Sequence, residues 1–283
     1  KNKGLQISDE QLAAQYLQKI SYYRFRAYTY PFQDNNQPNQ PFITPITFEQ
    51  LVALYQFDSQ LRTLMFDALE KIEIALRTQI IYQLAMSYGS HWHSNSSLFR
   101  NRIYFDNDIS KLQKEINRSD ETFIKHYKNK YTTPTEPPCW MSLEVSSFGS
   151  LSSFFQNLKA RSEKKQITNF FGLKHIETLE NWAHYFSHIR NICAHHSRLW
   201  NRRPAIRITI PKKTIYNIIE NKNVYPYKIY PSICAIIYVL NIIEPSHHFV
   251  NDLKKLINQA PFPAKQIKEM GFPKKWESEN FWK

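Results

Sequence analysis

Glycine is scarce in this chain, with 5 residues in 283. Sheet-rich folds place many glycines in tight turns, so this scarcity favours helices. Cysteine is almost as rare. Cys139, Cys193 and Cys234 are far apart, form no CxxC pair and are odd in number, which argues against a disulfide scaffold. Free thiols of this kind fit a reducing, cytoplasmic setting. No apolar run is long enough to span a bilayer and no signal peptide is present, so no membrane partner is expected. Acidic residues are in deficit: 24 Asp and Glu face 37 Lys and Arg, for a net charge of +13. That surplus suits a polyanion, either nucleic acid or an anionic surface, and nucleic acid is favoured because the basic residues cluster. What is abundant is apolar: 42% hydrophobic residues and 15% aromatics allow a substantial core and exclude wholesale disorder.

The periodicity is helical nearly throughout. Ser8 is expected to cap a first helix, with Gln11 completing a capping box and Leu12, Tyr16 and Ile20 forming its apolar stripe. Residues 22–32, YYRFRAYTYPF, read either as a helix packed by tyrosines or as a phosphate contact through Arg24 or Arg26. Residues 33–45 form a polar loop. Thr47, with Gln50, caps the longest apolar pattern, which Gly89 stops; a break near Asp58 would make it a pair, and no break would make it one long spine. On it Glu70, Glu73 and Arg77 share a face, either as ordinary salt bridges or as supports for a site elsewhere. His91-Trp92-His93 reads as a loop around a packed tryptophan, a metal pair there needing further ligands.

Two helices are expected within 106–131, the second capped by Ser119. A proline-rich turn, a short amphipathic helix ending at Gly149 and a serine-rich helix over 150–158 follow. Residues 160–166 read as a charged surface connection, and 174–196 as a helix. Residues 206–211 alternate like a short strand, half of a hairpin or an extended arm. Apolar helices over 232–244 and 249–257 and an aromatic tail packing back on the body complete the chain.

One stretch concentrates chemistry. Residues 184–203, HYFSHIRNICAHHSRLWNRR, hold four histidines and four arginines. At about 100° per residue, His184, His188, Asn191, His195 and Arg198 fall on one stripe, while Trp182, Tyr185, Phe186, Ile189 and Ile192 occupy an apolar sector. Three uses of the imidazole face compete. His184 and His188 have the spacing of helical metal ligands, but no HExxH and no acidic ligand adjoins them. The histidines could form a structural network. Or the face could cleave RNA without a metal. That reaction needs a base for the 2′-hydroxyl proton, an acid for the leaving 5′-oxygen and a cation for the phosphorane. Histidine titrates near neutrality and arginine holds phosphate in a planar fork. Arg190 lies about 140° round the helix from His195, so its side chain must reach across or the helix must distort.

Arg190-Asn191 followed by His195 fits the R-(N/H/D)-x-x-x-H form of the HEPN ribonuclease motif. RNICAHHSRLWNR, YYRFRAYTYPF, ALEKIEIALRTQI, PPCWMSLEVSSFGSLS and the terminal MGFPKKW occur in an order that resembles the Abi-like family of AbiD/AbiF-type bacterial abortive-infection proteins. The resemblance spans nearly the whole chain. It implies an all-α, HEPN-like helical bundle with further helices and a small irregular or hairpin insertion in the C-terminal third. The corresponding division is N-terminal helices and a polar loop over 1–46, the core over 47–203 and an extension over 204–283, within one Abi-like domain. It also implies a short stretch ahead of GLQIS, so the numbering, which opens on lysine, is expected to lack a start. The implied activity is a metal-independent, toxin-like endoribonuclease in anti-phage defence, with no cofactor. Arg190, Asn191 and His195 carry the catalytic roles by motif match. A homodimer would pair the single motif, and a small noncoding RNA is a further expected partner. Charge and proximity add His196, Arg198, Arg202, Arg203 and Arg24 as RNA-binding candidates. The competing class is a non-catalytic module that holds a structured RNA with the same arginines.

Overall fold

The computed structural model describes residues 3–159, 161–211, 218–219 and 227–282. It is all-α: 66% helical, with twelve α-helices among the described residues. The organising element is α3 (Phe48–Tyr88), a single 41-residue helix. Thr47 and Gln50 close the expected capping box over its start, at 3.2 and 3.0 Å, and Gly89, at φ 81°, ends it. Asp58 does not break it. The residue sits on the core face among Leu54, Phe57 and Leu61, all buried, and its carboxylate is used elsewhere.

Ahead of α3 lie α1 (Glu10–Ile20) and α2 (Tyr22–Thr29). The cap of α1 is Asp9, which accepts from the Leu12 amide at 2.9 Å; Ser8 instead donates to Glu49 on α3. Leu12 consequently faces outward, and Ala13, Tyr16, Leu17 and Ile20 turn inward. The polar loop over 33–45 is folded back on itself: the Asp34 amide donates to the Pro41 carbonyl at 2.8 Å, and Gln33 reaches the Gln40 carbonyl at 2.9 Å. Two short parallel strands, β1 (Leu5–Gln6) and β2 (Ile46–Thr47), close this end.

Beyond α3, Trp92 and His93 are buried in a short turn. Burial pushes the His93 imidazole down from 6.5 to about 4, against the pull of Glu136. The folded value lies below the unfolded one, so between those two pH values only the unfolded state takes up the proton. Stability should therefore fall by about 3 kcal/mol as the pH drops from 6.5 to about 4. Urea titrations of His93→Gln should show a flatter acid limb than the parent; an equally steep limb would assign the acid sensitivity to other groups.

Next come α4 (Arg102–Arg118), α5 (Thr122–Lys130), α6 (Cys139–Ser142) and α7 (Phe148–Asn157). Ser119 ends α4 rather than capping α5, its hydroxyl accepting from the Glu121 amide. Gly149 lies in the first turn of α7, whose cap is Ser147, so the short helix ends earlier than its sequence suggests. Of the charged stretch over 160–166, the described residues 161–166 open α8 (Arg161–Phe170). It is no surface connection: Lys164 is fully buried, bonded to Glu180 and set 4.9 Å from the Phe155 ring centre. A buried ion pair makes a charged segment into core, which local polarity conceals.

α9 (Ile176–Ala194) packs on α3, α7 and α8. The chain then runs back along it. The Trp182 indole donates to the Thr209 carbonyl at 2.7 Å, and Asn181 exchanges bonds with Arg207 and Thr209. Residues 206–211 thus form an extended arm against a helix and not a strand in a sheet; 212–217 and 220–226, where the rest of the insertion falls, lie outside the described residues. α10 (Tyr230–Ile243), α11 (Phe249–Asn258) and α12 (Pro263–Met270) follow, α10 and α11 against α3. Trp276 and Trp282 pack with Phe272 and Tyr230, as the aromatic tail suggested. No helix among the described residues is long and apolar enough to cross a membrane.

Candidate active site at the end of the ninth helix

The sector expected to be apolar on α9 is buried throughout: Trp182, Tyr185, Phe186, Ile189 and Ile192. That burial orients the opposite face outward, where His184 and Asn191 are exposed and His188 is half-buried. Burial, then Arg202 and His184, lower the pKa of His188, which favours its neutral ring.

The helix stops at Ala194 rather than continuing through 196. The His196 amide bonds the Cys193 carbonyl at 3.0 Å and the Ser197 amide bonds the Ile192 carbonyl at 3.0 Å. With His196 at φ 54°, this is a Schellman ending built on histidine where glycine is usual. A non-glycine residue in that region carries strain that the surroundings must hold.

Asp58 supplies the holding. Its carboxylate accepts the Trp200 amide at 2.7 Å, the Leu199 amide at 3.1 Å, the Tyr28 hydroxyl at 2.5 Å and the Arg62 guanidinium at 2.5 Å. Burial raises the pKa of this carboxyl, against the pull of Arg62, the Tyr28 hydroxyl and the two amides. Four donors, one of them cationic, converge on it, so the ionised form is the one this geometry fits. Leu199 and Trp200 are pulled into the core, and the turn that carries His195 and His196 is left on the outside.

Arg190 meets the histidine stripe at Asn191. It leans onto α3, where its guanidinium meets Glu73 at 3.0 Å and the Asn191 amide oxygen at 3.3 Å, 6.0 Å from the centre of the Phe148 ring. Glu73 is shared: its other oxygen pairs with Arg77 at 2.5 Å. Arg77 is itself buried, donating to the carbonyls of Leu143 and Ser146. Glu73 and Arg77 form the expected i,i+4 pair, and Glu73 also bonds Arg190, while Glu70 is exposed. Of the two acids that partner this region, the sequence offered Glu73 as a possible support and did not identify Asp58. The available signal was an acid on the core side of α3, each with an arginine four residues on, Arg62 and Arg77.

The remaining residues divide. His195, His196 and Arg203 are exposed, and Arg202 is half-buried with one donor toward the Arg198 carbonyl at 3.4 Å. Arg198 leaves the helical stripe because the helix has ended, and its guanidinium bonds the Ala27 carbonyl of α2. Arg24 reaches the His196 carbonyl at 2.6 Å, tying α2 to the turn. These two therefore brace the site through backbone oxygens, a use that charge counting did not foresee. No group of three or more His, Cys, Asp or Glu among the described residues has a metal-holding arrangement.

Fold and site together define an all-helical protein whose cationic, imidazole-bearing helix end is clamped between the long helix α3 and the tyrosine-rich α2. The chain belongs to the Abi-like protein family, whose model matches residues 15–201 and so takes in α2, α3 and the anchored turn. Among curated proteins and among solved structures, none matches the chain.

Proposed function

We propose that the chain is a metal-independent endoribonuclease of an abortive-infection, toxin-like system, with the HEPN arrangement of Arg190, Asn191 and His195 as its active site. The observation that supports this best is the anchored turn. It presents an exposed imidazole one helical turn after Asn191, whose amide oxygen accepts from an arginine oriented by Glu73. His195 is the general base for the 2′-hydroxyl or the general acid for the departing 5′-oxygen. Arg190 places positive charge on the phosphorane, and Asn191 orients the guanidinium through its amide oxygen. His196, Arg202 and Arg203 add to the positive rim that receives RNA.

One imidazole serves one of the two proton transfers, so a second copy of the chain would supply the other. Ile74 bears on such pairing: it is exposed on α3 and adjoins the Glu73 that holds Arg190, an apolar contact beside the site. The test is cleavage of RNA by the purified chain in EDTA. Undiminished cleavage is expected. Loss of cleavage in EDTA would return the reaction to metal chemistry, and RNA binding without any cleavage would favour the non-catalytic module.

A further inference from the structure

The nuclease reading leaves unsaid what form of RNA the site takes, and α2 bears on that. Tyr23 is 83% exposed and Tyr22 58%, their rings 5.5 Å apart at 73°. A large ring gains nothing in water that a lysine or glutamate would not provide better. The position is specific as well. Arg24 donates to the His196 carbonyl, and the Ala27 carbonyl accepts from Arg198. Tyr23 precedes the first of these residues and lies four before the second, so it borders the flank of α2 that meets the turn. Neither 22–32 nor 190–203 contains an aspartate or glutamate, so the two segments joined at this flank carry only positive charge.

Aromatic faces among arginines and histidines are the chemistry that receives unpaired bases. An unstacked base recovers its lost stacking on a tyrosine while its phosphate meets the cations. In a duplex the bases already stack on one another and offer no face to a side chain. We propose that Tyr23 is a stacking platform for an unpaired base next to the scissile phosphate. This rests on the nuclease reading and sharpens its substrate.

The test uses chains carrying His195→Ala, so that RNA stays intact. Fluorescence anisotropy measures their affinity for a single-stranded oligoribonucleotide, for the same sequence as a duplex, and for inorganic polyphosphate as a competitor. Tyr23→Ala should weaken single-strand binding by about tenfold. Tyr23→Phe, which keeps the ring, should bind like the parent, and duplex and polyphosphate binding should be unmoved by either change. Unchanged single-strand affinity in Tyr23→Ala overturns the proposal and leaves the ring to a protein partner. Equal weakening for all three polyanions overturns it in favour of a general structural role, and a Tyr23→Phe that fails like alanine does so in favour of a hydroxyl contact. Cleavage by the wild-type chain with no Tyr23 effect removes the stacking alone. A chain that neither binds nor cleaves RNA removes the nuclease reading with it.

Discussion

Replacing His195 by alanine is expected to lower RNA cleavage by about 10²–10⁴-fold, the range that a positioned general acid or base contributes. The fold should hardly notice. His195 is exposed and its structural contact is its backbone amide on the Asn191 carbonyl, which alanine keeps. Its neighbour His196, not His195, occupies the left-handed position of the helix ending. Loss of activity with an unchanged denaturation midpoint therefore separates chemistry from folding. A variant that retains full cleavage would remove His195 from the reaction and shift attention to His196 or His188 on the same side.

The second large effect concerns stability. Asp58→Ala removes the acceptor for two buried amides, a tyrosine hydroxyl and a guanidinium, and leaves Arg62 buried without its counter-charge. Breaking a buried pair from one side costs about 3–5 kcal/mol, a large share of the ~5–15 kcal/mol that holds a typical protein together. The damage should be felt at the site, because the amides of Leu199 and Trp200 are what keep the turn after α9 folded back on α3. Urea denaturation should show the loss, and cleavage should fall at temperatures where the variant is still folded. A change below about 1 kcal/mol, the scale of an exposed ion pair, would mean that Asp58 does not hold the turn.

The parts of this architecture legible in the sequence are those encoded within a few residues. Thr47 and Gln50 announce the start of α3 through a reciprocal cap, Gly89 marks its end, and the apolar sector of α9 is visible in its period. The family resemblance, carried by five short segments, pointed to the same all-helical class. The errors have a common cause. Ser8 and Asp9 are both competent caps, and the choice between them is made by Glu49, 41 residues away. Residues 160–166 look like surface because their charges are local, while the partner that buries Lys164 is Glu180 on another helix. The brace on Arg190 comes from a residue 117 positions earlier, and that on the Leu199 amide from one 141 positions earlier. Arg198 and Arg24 each place a donor on a distant backbone carbonyl, a contact sequence does not reveal because an arginine fork fits a carbonyl as readily as a phosphate oxygen.

His93 and Lys164 show the same point from the side of electrostatics. Both are ionisable types in polar-looking sequence, and both are buried, with burial lowering the pKa of each, His93 to about 4 and Lys164 to about 8. Neither lies near α9's histidine face in sequence, and each is held by packing that a one-dimensional pattern does not contain.

The most direct test of the nuclease reading is the chemistry of the cut ends. RNA digested by the purified chain in EDTA should carry 2′,3′-cyclic phosphates on its upstream fragments and free 5′-hydroxyls on its downstream ones, and these ends should be absent from a parallel digest by His195→Ala. Products bearing 3′-hydroxyls and 5′-phosphates would contradict attack by the 2′-hydroxyl, and with it the roles assigned to His195 and Arg190.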